Sequence, residues 1–458
     1  MSDKEKLSKE PAQQPSLEKN ATEKTQYEFA VKKVGIPSIP SPLSELKHFD
    51  LKDTSFYVSD RGDRVILDSK VSVKDHPHVR SFERAGPRSK IFYDSDEVKA
   101  GIVTCGGICP GLNDVIRSVV LELSQWYKVR RIIGFKYGYA GMVPNTKFQP
   151  IPLTPEVVES IHLRGGSILG SSRGSQAVKE MVKNLVDRNI NMVFCIGGDG
   201  TLKGAHALAE EIAKQQLEIS IIGIPKTIDN DIPFVERSFG FQTAVEVCRG
   251  VLECAKIEAS CAPNGVGIVK LMGRDAGFIT AYATRANGNI DFCLIPEMRI
   301  PIYEKGGLYD SVRRTIGEKG HAVIAVAEGA GQDIIGTSGE TDASGNQKFN
   351  DVGQFLRYDI AKHFKEKFDT EINVRYISPS YVIRSVPSNS QDKIFCADLA
   401  RYAVDAAMAG KTDMMVGYWH GEFTNVPLEA LNIKKRVERF SREWLSVLAT
   451  TGQPPEWW

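Results

Sequence analysis

The chain has 458 residues, of which 42% are hydrophobic and 25% charged, and its 58 Lys and Arg residues nearly balance its 57 Asp and Glu residues. This composition excludes a wholly disordered, collagen-like or membrane-embedded protein. The net charge of +1 disfavours a globally basic nucleic-acid binder. From composition and charge together, we expect neither a nucleic-acid partner nor a membrane. The 40 glycines exceed the usual share of about 7%, and their positions identify the informative loops.

The sequence carries no sign of export. Its N-terminus, MSDKEKLSKE, lacks the apolar core of a secretory signal, and no run reaches the ~18 apolar residues of a membrane span. Its 8 cysteines are scattered without a C-x-x-C pair, which disfavours a zinc or thioredoxin-like site and favours a reducing compartment. We therefore predict a cytoplasmic protein.

The first part of the chain carries no catalytic motif. Residues 1–26 are rich in Lys, Glu, Ser, Gln and Pro and have no aromatic residue, which predicts a disordered tail. Residues 27–95 regain aromatic residues, but Pro and Gly interrupt them often. This pattern predicts an irregular N-terminal extension.

From Val98 onwards, short apolar runs alternate with helical stretches. A first series of strands is predicted at 100–105, 130–135, 191–196 and 219–224. A second series is predicted at 265–270, 292–297, 322–328 and 372–377, with helices at about 304–318, 353–367 and 393–410. Repeated strand–loop–helix units predict an α/β fold of parallel sheets with crossover helices. Ligands bind at the carboxyl ends of the strands in such sheets.

The first glycine loop, Gly106–Gly111, lies between a predicted strand and a predicted helix. Backbone N–H groups and the helix dipole favour a phosphate at such a place. The residues that follow are Leu112 and Asn113 rather than Lys and Ser or Thr, so the loop is not a Walker P-loop. Taken alone, it is explained equally well as a tight turn that needs glycine.

The second glycine loop places Asp199 between Gly198 and Gly200 at the end of a predicted strand. Adjacent glycines let a ligand approach the backbone closely. Asp199 is a candidate Mg²⁺ ligand, because Mg²⁺ is typically held by one or two carboxylates together with phosphates. The alternative is that Asp199 simply caps the following helix.

The third element, Lys226–Asp231, also follows a predicted strand. If its backbone stays extended, Thr227, Asp229 and Asp231 share one face and Ile228 takes the other. Two carboxylates so close together suit a general base that faces a substrate hydroxyl. A solvated turn is the alternative.

Several arginines complete the set of candidates. Arg274 follows Met272 and Gly273 at a strand end, where it would offset charge on a transferring phosphoryl group. Arg173, in the glycine-rich stretch RGGSILGSSRG, would likewise offset phosphoryl charge. A basic pocket for a sugar phosphate is suggested by Arg375, Tyr381 and Arg384. For Arg274 the alternative is an ordinary surface salt bridge, and the other arginines, taken singly, are better explained as solvated side chains.

Eight motifs then occur in a fixed order: TCGGICPGLNDVIR, RGGSILGSSRG, IGGDGT, PKTIDNDI, GFQTAVE, KLMGRD, VAEG and SPSYVIR. Together they resemble the phosphofructokinase family over about residues 99–410, and in detail its long-chain, plant-like and kinetoplastid-like branch. The resemblance implies two Rossmann-like parallel-sheet domains and an N-terminal extension. It places a nucleotide-binding domain at 96–240 plus 383–433 and a fructose 6-phosphate domain at 241–382 plus 434–458.

The resemblance also implies the chemistry, a glycolytic transfer of the γ-phosphoryl group of MgATP to the 1-hydroxyl of fructose 6-phosphate. Asp229 would be the base, supported by Lys226, Thr227, Asp231 and Arg274. Nucleotide contacts would come from Gly106, Gly107, Arg173, Gly174, Gly198, Asp199, Gly200, Thr201 and Gly204, with Asp199 at the metal. Substrate contacts would come from Thr227, Ile228, Asp229, Met272, Gly273, Arg274, Glu328, Arg375, Tyr381 and Arg384.

Assembly, regulation and donor choice follow less directly from the same resemblance. It implies an allosteric homotetramer or homodimer in which Arg375 reaches across a subunit interface, although effector residues do not map onto this sequence. Gly200 favours ATP, because pyrophosphate-dependent members typically carry an aspartate there, whereas Lys226 is compatible with either donor. A pyrophosphate-dependent enzyme is therefore the alternative. NAD kinases and lipid kinases also contain GGDGT and are a remote alternative. If the protein were one of these, the other motifs would have no role.

Overall fold

Two β-sheets organise the described part of the chain, one of nine strands and one of four. The structure is a computed structural model that describes residues 29–43, 62–68, 80–144, 147–341 and 347–458. The tail predicted for residues 1–26 lies outside these ranges. Within them, no helix is both long and apolar enough to cross a membrane.

The elements are numbered in chain order. The strands are β1 (Lys32–Lys33), β2 (Ile39–Pro40), β3 (Arg64–Ile66), β4 (Ser81–Arg84), β5 (Lys90–Ile91), β6 (Lys99–Thr104), β7 (Arg131–Phe135), β8 (Ile151–Pro152), β9 (Met192–Gly197), β10 (Ser220–Pro225), β11 (Gly265–Leu271), β12 (Phe292–Leu294), β13 (His321–Ala327), β14 (Thr337–Thr341), β15 (Gln347–Phe349), β16 (Asn373–Ile377), β17 (Lys411–Thr412), β18 (Met414–Trp419) and β19 (Glu422–Pro427). The helices are α1 (Leu112–Leu121), α2 (Pro155–Val158), α3 (Val178–Asp187), α4 (Asp199–Lys214), α5 (Phe241–Ser260), α6 (Phe278–Asn287), α7 (Leu308–Lys319), α8 (Gln332–Ile335), α9 (Val352–Phe368), α10 (Val382–Ser385), α11 (Ser390–Met408) and α12 (Arg442–Thr451).

The large sheet has the strand order β3-β4-β19-β18-β10-β9-β6-β7-β8. Its central strands β7, β6, β9, β10 and β18 are parallel. Strands β9 and β10 are buried along their whole length, as expected for strands with helices on both faces. The N-terminal extension is less irregular than predicted, because its strands β3 and β4 continue this sheet through antiparallel pairing with β19.

The small sheet has the order β12-β13-β11-β16 and is parallel throughout. Its strands match the predicted ones closely, with one clear exception. The strand predicted at 292–297 ends at Leu294, because Pro296 offers no N–H and restricts the residue before it. Likewise the helix predicted from 304 begins only at Leu308, after Gly306 has turned with φ +76°.

The chain passes between the two sheets three times. It leaves the large sheet after β10, returns after β16 to add β17 to β19, and leaves again to form α12, which packs against α6. These memberships support the predicted domain boundaries, which we retain as a proposal. The carboxyl ends of β6, β9, β10, β11 and β13 carry the motif loops.

Candidate active site

The first glycine loop connects β6 to α1 and is held in shape by its glycines. Gly106 has φ +82° and Gly111 has φ +97°. A Cβ on Gly111 would lie 2.7 Å from the Cys396 Sγ, so the loop needs glycine there for both conformation and space. Lys226 Nζ, itself buried, donates a hydrogen bond to the Gly107 carbonyl. Burial lowers the pKa of Lys226.

The guanidinium groups of Arg173 and Arg384 both lie close to this loop. A Cβ on Gly107 would lie 3.1 Å from Arg384 Nη1 and 3.8 Å from Arg173 Nη2. The Arg384 guanidinium also stacks over the Tyr381 ring, 4.7 Å from its centroid, and burial and the nearby Arg173 lower the pKa of Arg384. Its buried Nε has no hydrogen-bond partner among the described residues. The two arginines and the glycine loop therefore form a cradle suited to an anion.

The second glycine loop leads directly into α4. The N-cap of this helix is Gly198, not Asp199, so the interpretation of Asp199 as a simple cap is wrong. The Asp199 carboxylate is half-exposed, and its Oδ2 lies 2.9 Å from Lys203 Nζ. A Cβ on Gly200 would have no atom within 4 Å. The loop therefore presents one carboxylate and open space.

The other two residues predicted in this loop contact protein. Thr201 is buried, and its carbonyl accepts a hydrogen bond of 2.7 Å from the Tyr139 hydroxyl. A Cβ on Gly204 would lie 2.6 Å from the Tyr139 ring. Thr201 and Gly204 therefore position the start of α4, and their predicted nucleotide contacts stay predictions.

The carboxylate turn, residues 226–238, differs from the extended segment predicted. Strand β10 ends at Pro225 and Asn230 has φ +55°. The Thr227 hydroxyl donates to Asp231 Oδ1 at 3.1 Å and accepts from the Asp229 N–H at 3.0 Å. The turn, rather than strand alternation, therefore brings Thr227 and Asp231 together. Ile228 is buried in the core, so a substrate could reach only its backbone.

Electrostatics single out one carboxyl of this turn. Burial, together with Asp231 and Glu328, raises the pKa of Asp229 to about 7, while Arg274 and Lys226 oppose the shift. Burial also raises the pKa of Asp231, against its hydrogen bond from Thr227. A carboxyl that titrates near neutrality is well matched to general-base work.

The Met272–Arg274 segment is pinned to the neighbouring strand end. The Arg274 N–H donates to Glu328 Oε1 at 3.1 Å, and the Glu328 N–H donates to the Leu271 carbonyl at 2.8 Å. Gly273 has φ +141°, and a Cβ on Gly329 would lie 2.1 Å from the Arg274 carbonyl. This close packing fixes Arg274 near the Asp229 carboxyl, where its charge partly offsets the rise in the pKa of Asp229.

Some predicted residues lie apart from this cluster. Arg375 is exposed on β16, with its Nε 3.9 Å from Glu258 Oε2. Gly174 is also exposed. Tyr381 is exposed too, although its ring lies against the Arg384 guanidinium of the cluster. Met272 is partly buried against the core. The structure thus groups Asp229, Asp231, Lys226, Arg274, Glu328 and Arg384 but does not bring Arg375 to them.

Sequence reasoning missed two residues that shape the turn. Asn230 Oδ1 accepts a 2.9 Å hydrogen bond from the Ser238 N–H, and the Ser238 hydroxyl donates to the Thr227 carbonyl at 2.7 Å. Asn230 lay inside a quoted motif, and its tolerance of a left-handed backbone was the available signal. Ser238 had no signal in the sequence.

The site also offers oxygen ligands for a metal ion. Asp199 and Asp231 line one small cavity, with Lys434 at the same place. In the described ranges, no group of three or more His, Cys, Asp or Glu residues is arranged to hold a metal. Mg²⁺ needs only one or two carboxylates when phosphates supply further oxygens, so this pair fits Mg²⁺ bound with a phosphate donor.

Known proteins match this chain over most of its length. It is 44% identical to "ATP-dependent 6-phosphofructokinase 7" of Arabidopsis thaliana, over 92% of this chain and 86% of that protein. It is 45% identical to "ATP-dependent 6-phosphofructokinase" of Amycolatopsis methanolica, over 94% of this chain and 95% of that protein.

A solved structure supports the fold alone. The pyrophosphate-dependent phosphofructokinase from Marinobacter aquaeolei superposes with a TM-score of 0.64 at 18% identity, covering 78% of this chain and 91% of that one.

The family described as phosphofructokinase matches residues 99–407, which include both sheets' motif loops. By sequence and by fold, this chain belongs to the phosphofructokinase family.

Proposed function

We propose that this protein transfers the γ-phosphoryl group of ATP to the 1-hydroxyl of fructose 6-phosphate, giving fructose 1,6-bisphosphate and ADP. The main support for the proposal is the Asp229 carboxyl, whose pKa is raised to about 7 and which lies close to cationic side chains. Two of these cations are Arg274 and Lys226. The names of the Arabidopsis thaliana and Amycolatopsis methanolica relatives support the same reaction.

The proposed roles follow from the geometry. Asp229 accepts the proton of the attacking hydroxyl as the bond to phosphorus forms, and its partly protonated state near pH 7 keeps it close to the optimum for that task. Arg274 and Arg384 offset the charge of the transferring group and of the substrate phosphate. Phosphoryl transfer depends mainly on such positioning and charge stabilisation.

Asp199, with Asp231 across the same cavity, would hold Mg²⁺. When bound, the ion neutralises charge on the donor phosphates and orients them. Lys226 supports the glycine loop rather than reaching outward, because it is buried and bonded to the Gly107 carbonyl.

The donor is proposed to be ATP because of Gly200. Its missing side chain leaves open space at the start of α4. A carboxylate at this position would repel the phosphates of a nucleotide. The alternative is pyrophosphate, which the Marinobacter aquaeolei protein is named for, and at 18% identity that likeness bears on the fold alone.

Assembly and compartment are part of the proposal. An exposed Arg375 on β16 is available to a second copy of the chain, in keeping with a homodimer or homotetramer. All 8 cysteines are unpaired, which favours a reducing compartment such as the cytoplasm, although two Arabidopsis relatives are named as chloroplastic.

One assay tests the proposal. Purified protein is mixed with fructose 6-phosphate and Mg²⁺, and either ATP or pyrophosphate is added. We expect fructose 1,6-bisphosphate with ATP and none above background with pyrophosphate. Turnover with pyrophosphate alone would overturn the donor, and turnover with neither would overturn the enzyme assignment.

A further inference from the structure

The strap, residues 431–437, is the last passage of the chain between the two sheets. It follows β19 of the large sheet and leads to α12, which packs against α6 beside the small sheet. None of the eight motifs includes these residues. The strap nevertheless runs along the carboxylate turn and then reaches the first residues of α6.

On the side of the large sheet, Lys435 of the strap bonds three carbonyls of the carboxylate turn. Its backbone N–H donates to the Asp231 carbonyl at 3.0 Å. Its ammonium group donates to the Val235 and Glu236 carbonyls, each at 2.9 Å. Hydrogen bonds from a charged donor are among the stronger ones in proteins, so Lys435 fixes the downstream half of the turn that carries Asp229.

On the side of the small sheet, the same ammonium group lies 5.0 Å from the centroid of the Phe278 ring. Phe278 is the first residue of α6 and follows Arg274 by four positions. Two residues further along the strap, the Val437 N–H donates to Glu297 Oε1 at 3.0 Å. Glu297 also accepts from the Gly277 N–H, at 3.0 and 3.1 Å.

We propose that Lys435 is a positioning residue for phosphoryl transfer, which ties the carboxylate turn to the start of α6 and so sets Asp229 against Arg274. This inference rests on the proposed function, because it takes Asp229 as the base. Lys435 acts through the backbone of the turn and through Phe278. A misplacement of about 1 Å at a reacting group can cost ~10²-fold in rate, so a tie between the two sides has a measurable effect.

The first test replaces the ammonium group. Lys435→Met should lower kcat by ~10- to 100-fold while KM for ATP and for fructose 6-phosphate stays within about twofold. Lys435→Arg, which keeps the charge and the donors, should recover most of the lost kcat. The matched control is Arg439→Met, an exposed cation just beyond the strap whose guanidinium lies 5.4 Å from the Phe440 ring. It should behave like the wild type.

The second test is a double-mutant cycle with Asp229→Asn. If Lys435 works by placing Asp229, the Lys435→Met change should cost less than about twofold in the Asp229→Asn background. A general loss of structure would instead cost the same factor in both backgrounds. Lys435→Gln, which keeps one amide donor, replaces the Met variant in the cycle if thermal unfolding shows that the latter does not fold.

The outcomes are distinct. An inactive wild type would overturn the proposed function and the role of Lys435 with it. An active wild type with a Lys435→Met kcat within about twofold of normal, or with equal losses in both backgrounds, would overturn the positioning role alone.

Discussion

Two carboxyls of this molecule have a pKa raised to about 7, yet only one lies beside the cationic groups of the candidate site. The pKa of Asp229 and that of Asp405 are each raised to about 7, chiefly by burial. Asp405 lies on α11, where its Oδ1 accepts a 2.6 Å hydrogen bond from the Tyr127 hydroxyl. Asp229 lies at the carboxyl end of a parallel strand, beside Arg274 and Lys226.

The surroundings separate the two carboxyls. Asp405 is 1% exposed, and its Oδ2 has no hydrogen-bond partner within the described ranges. Asp229 is partly exposed, and the positive charges of Arg274 and Lys226 act on it. A raised pKa therefore reports burial, and a functional site needs open space and complementary charge as well.

The largest expected effect compares the two carboxyls directly. Asp229→Asn should lower kcat by ~10²- to 10⁴-fold and leave substrate affinity broadly intact, because it removes a general base without changing the shape of the site. Asp405→Asn should leave kcat within about twofold of the wild type. Steady-state kinetics of both variants provides the measurement. Near-normal turnover in the Asp229 variant would refute the base role.

A second experiment adds a carboxylate to the second glycine loop, at Gly200. Gly200→Asp should raise KM for ATP by ~10- to 100-fold, because a new negative charge faces the donor phosphates at short range. Gly200→Ala is the matched control, since its Cβ finds no atom within 4 Å. Equal ATP kinetics in the Asp and Ala variants would show that the nucleotide does not pass this position.

The pH dependence of activity should follow the titration of Asp229 and not that of Asp405. Because protonated Asp229 cannot accept the hydroxyl proton, kcat/KM should fall ~10-fold per pH unit below a pKa of about 7. The same profile measured on Asp405→Asn should be unchanged, even though Asp405 has a similar pKa. A profile that shifts in the Asp405 variant would place that group in catalysis.

The smallest expected effect concerns stability. The pKa of Asp405 rises from 3.8 to about 7 on folding. The folded state therefore keeps a proton that the unfolded state releases, and the free energy of unfolding falls as pH rises between these values. That loss reaches ~4 kcal/mol above pH 7. Asp405→Asn cannot ionise, so it should be more stable than the wild type at pH 8.

Urea unfolding at pH 5 and pH 8 measures this difference. Between pH 5 and pH 8 the wild type should lose ~3 kcal/mol of unfolding free energy relative to Asp405→Asn, because folded Asp405 keeps its proton up to a pKa of about 7 while unfolded Asp405 is already ionised at pH 5. A stability difference between the two proteins that is the same at both pH values would show that folding does not raise the pKa of Asp405.

The fold and the approximate place of the site could be predicted because they depend on local signals. Buried parallel strands produce uninterrupted apolar runs such as Met192–Gly197, and the loops after them carry the glycines and carboxylates. Where a local signal was misread, proline and glycine were responsible. Pro296 ended a strand early, and Gly306 delayed a helix.

The finer geometry depends on distant partners, which no local pattern contains. The turn at Asn230 depends on Ser238, which lies eight positions later. Gly204 of α4 packs against Tyr139, which lies 65 positions earlier, and Lys435 reaches the carboxylate turn from about 200 residues away. Such contacts form only after the sheets have assembled, so they required the structure.

The most direct test of the proposed phosphoryl transfer identifies its phosphorus-containing products. ³¹P nuclear magnetic resonance of the protein with fructose 6-phosphate, Mg²⁺ and ATP resolves the sugar phosphates and the nucleotide in one sample. The account predicts a second phosphate ester on carbon 1 of the sugar, with ADP appearing at the same rate, and no such signal with Asp229→Asn over the same time. ADP accompanied only by inorganic phosphate, or a new ester at another position, would contradict it.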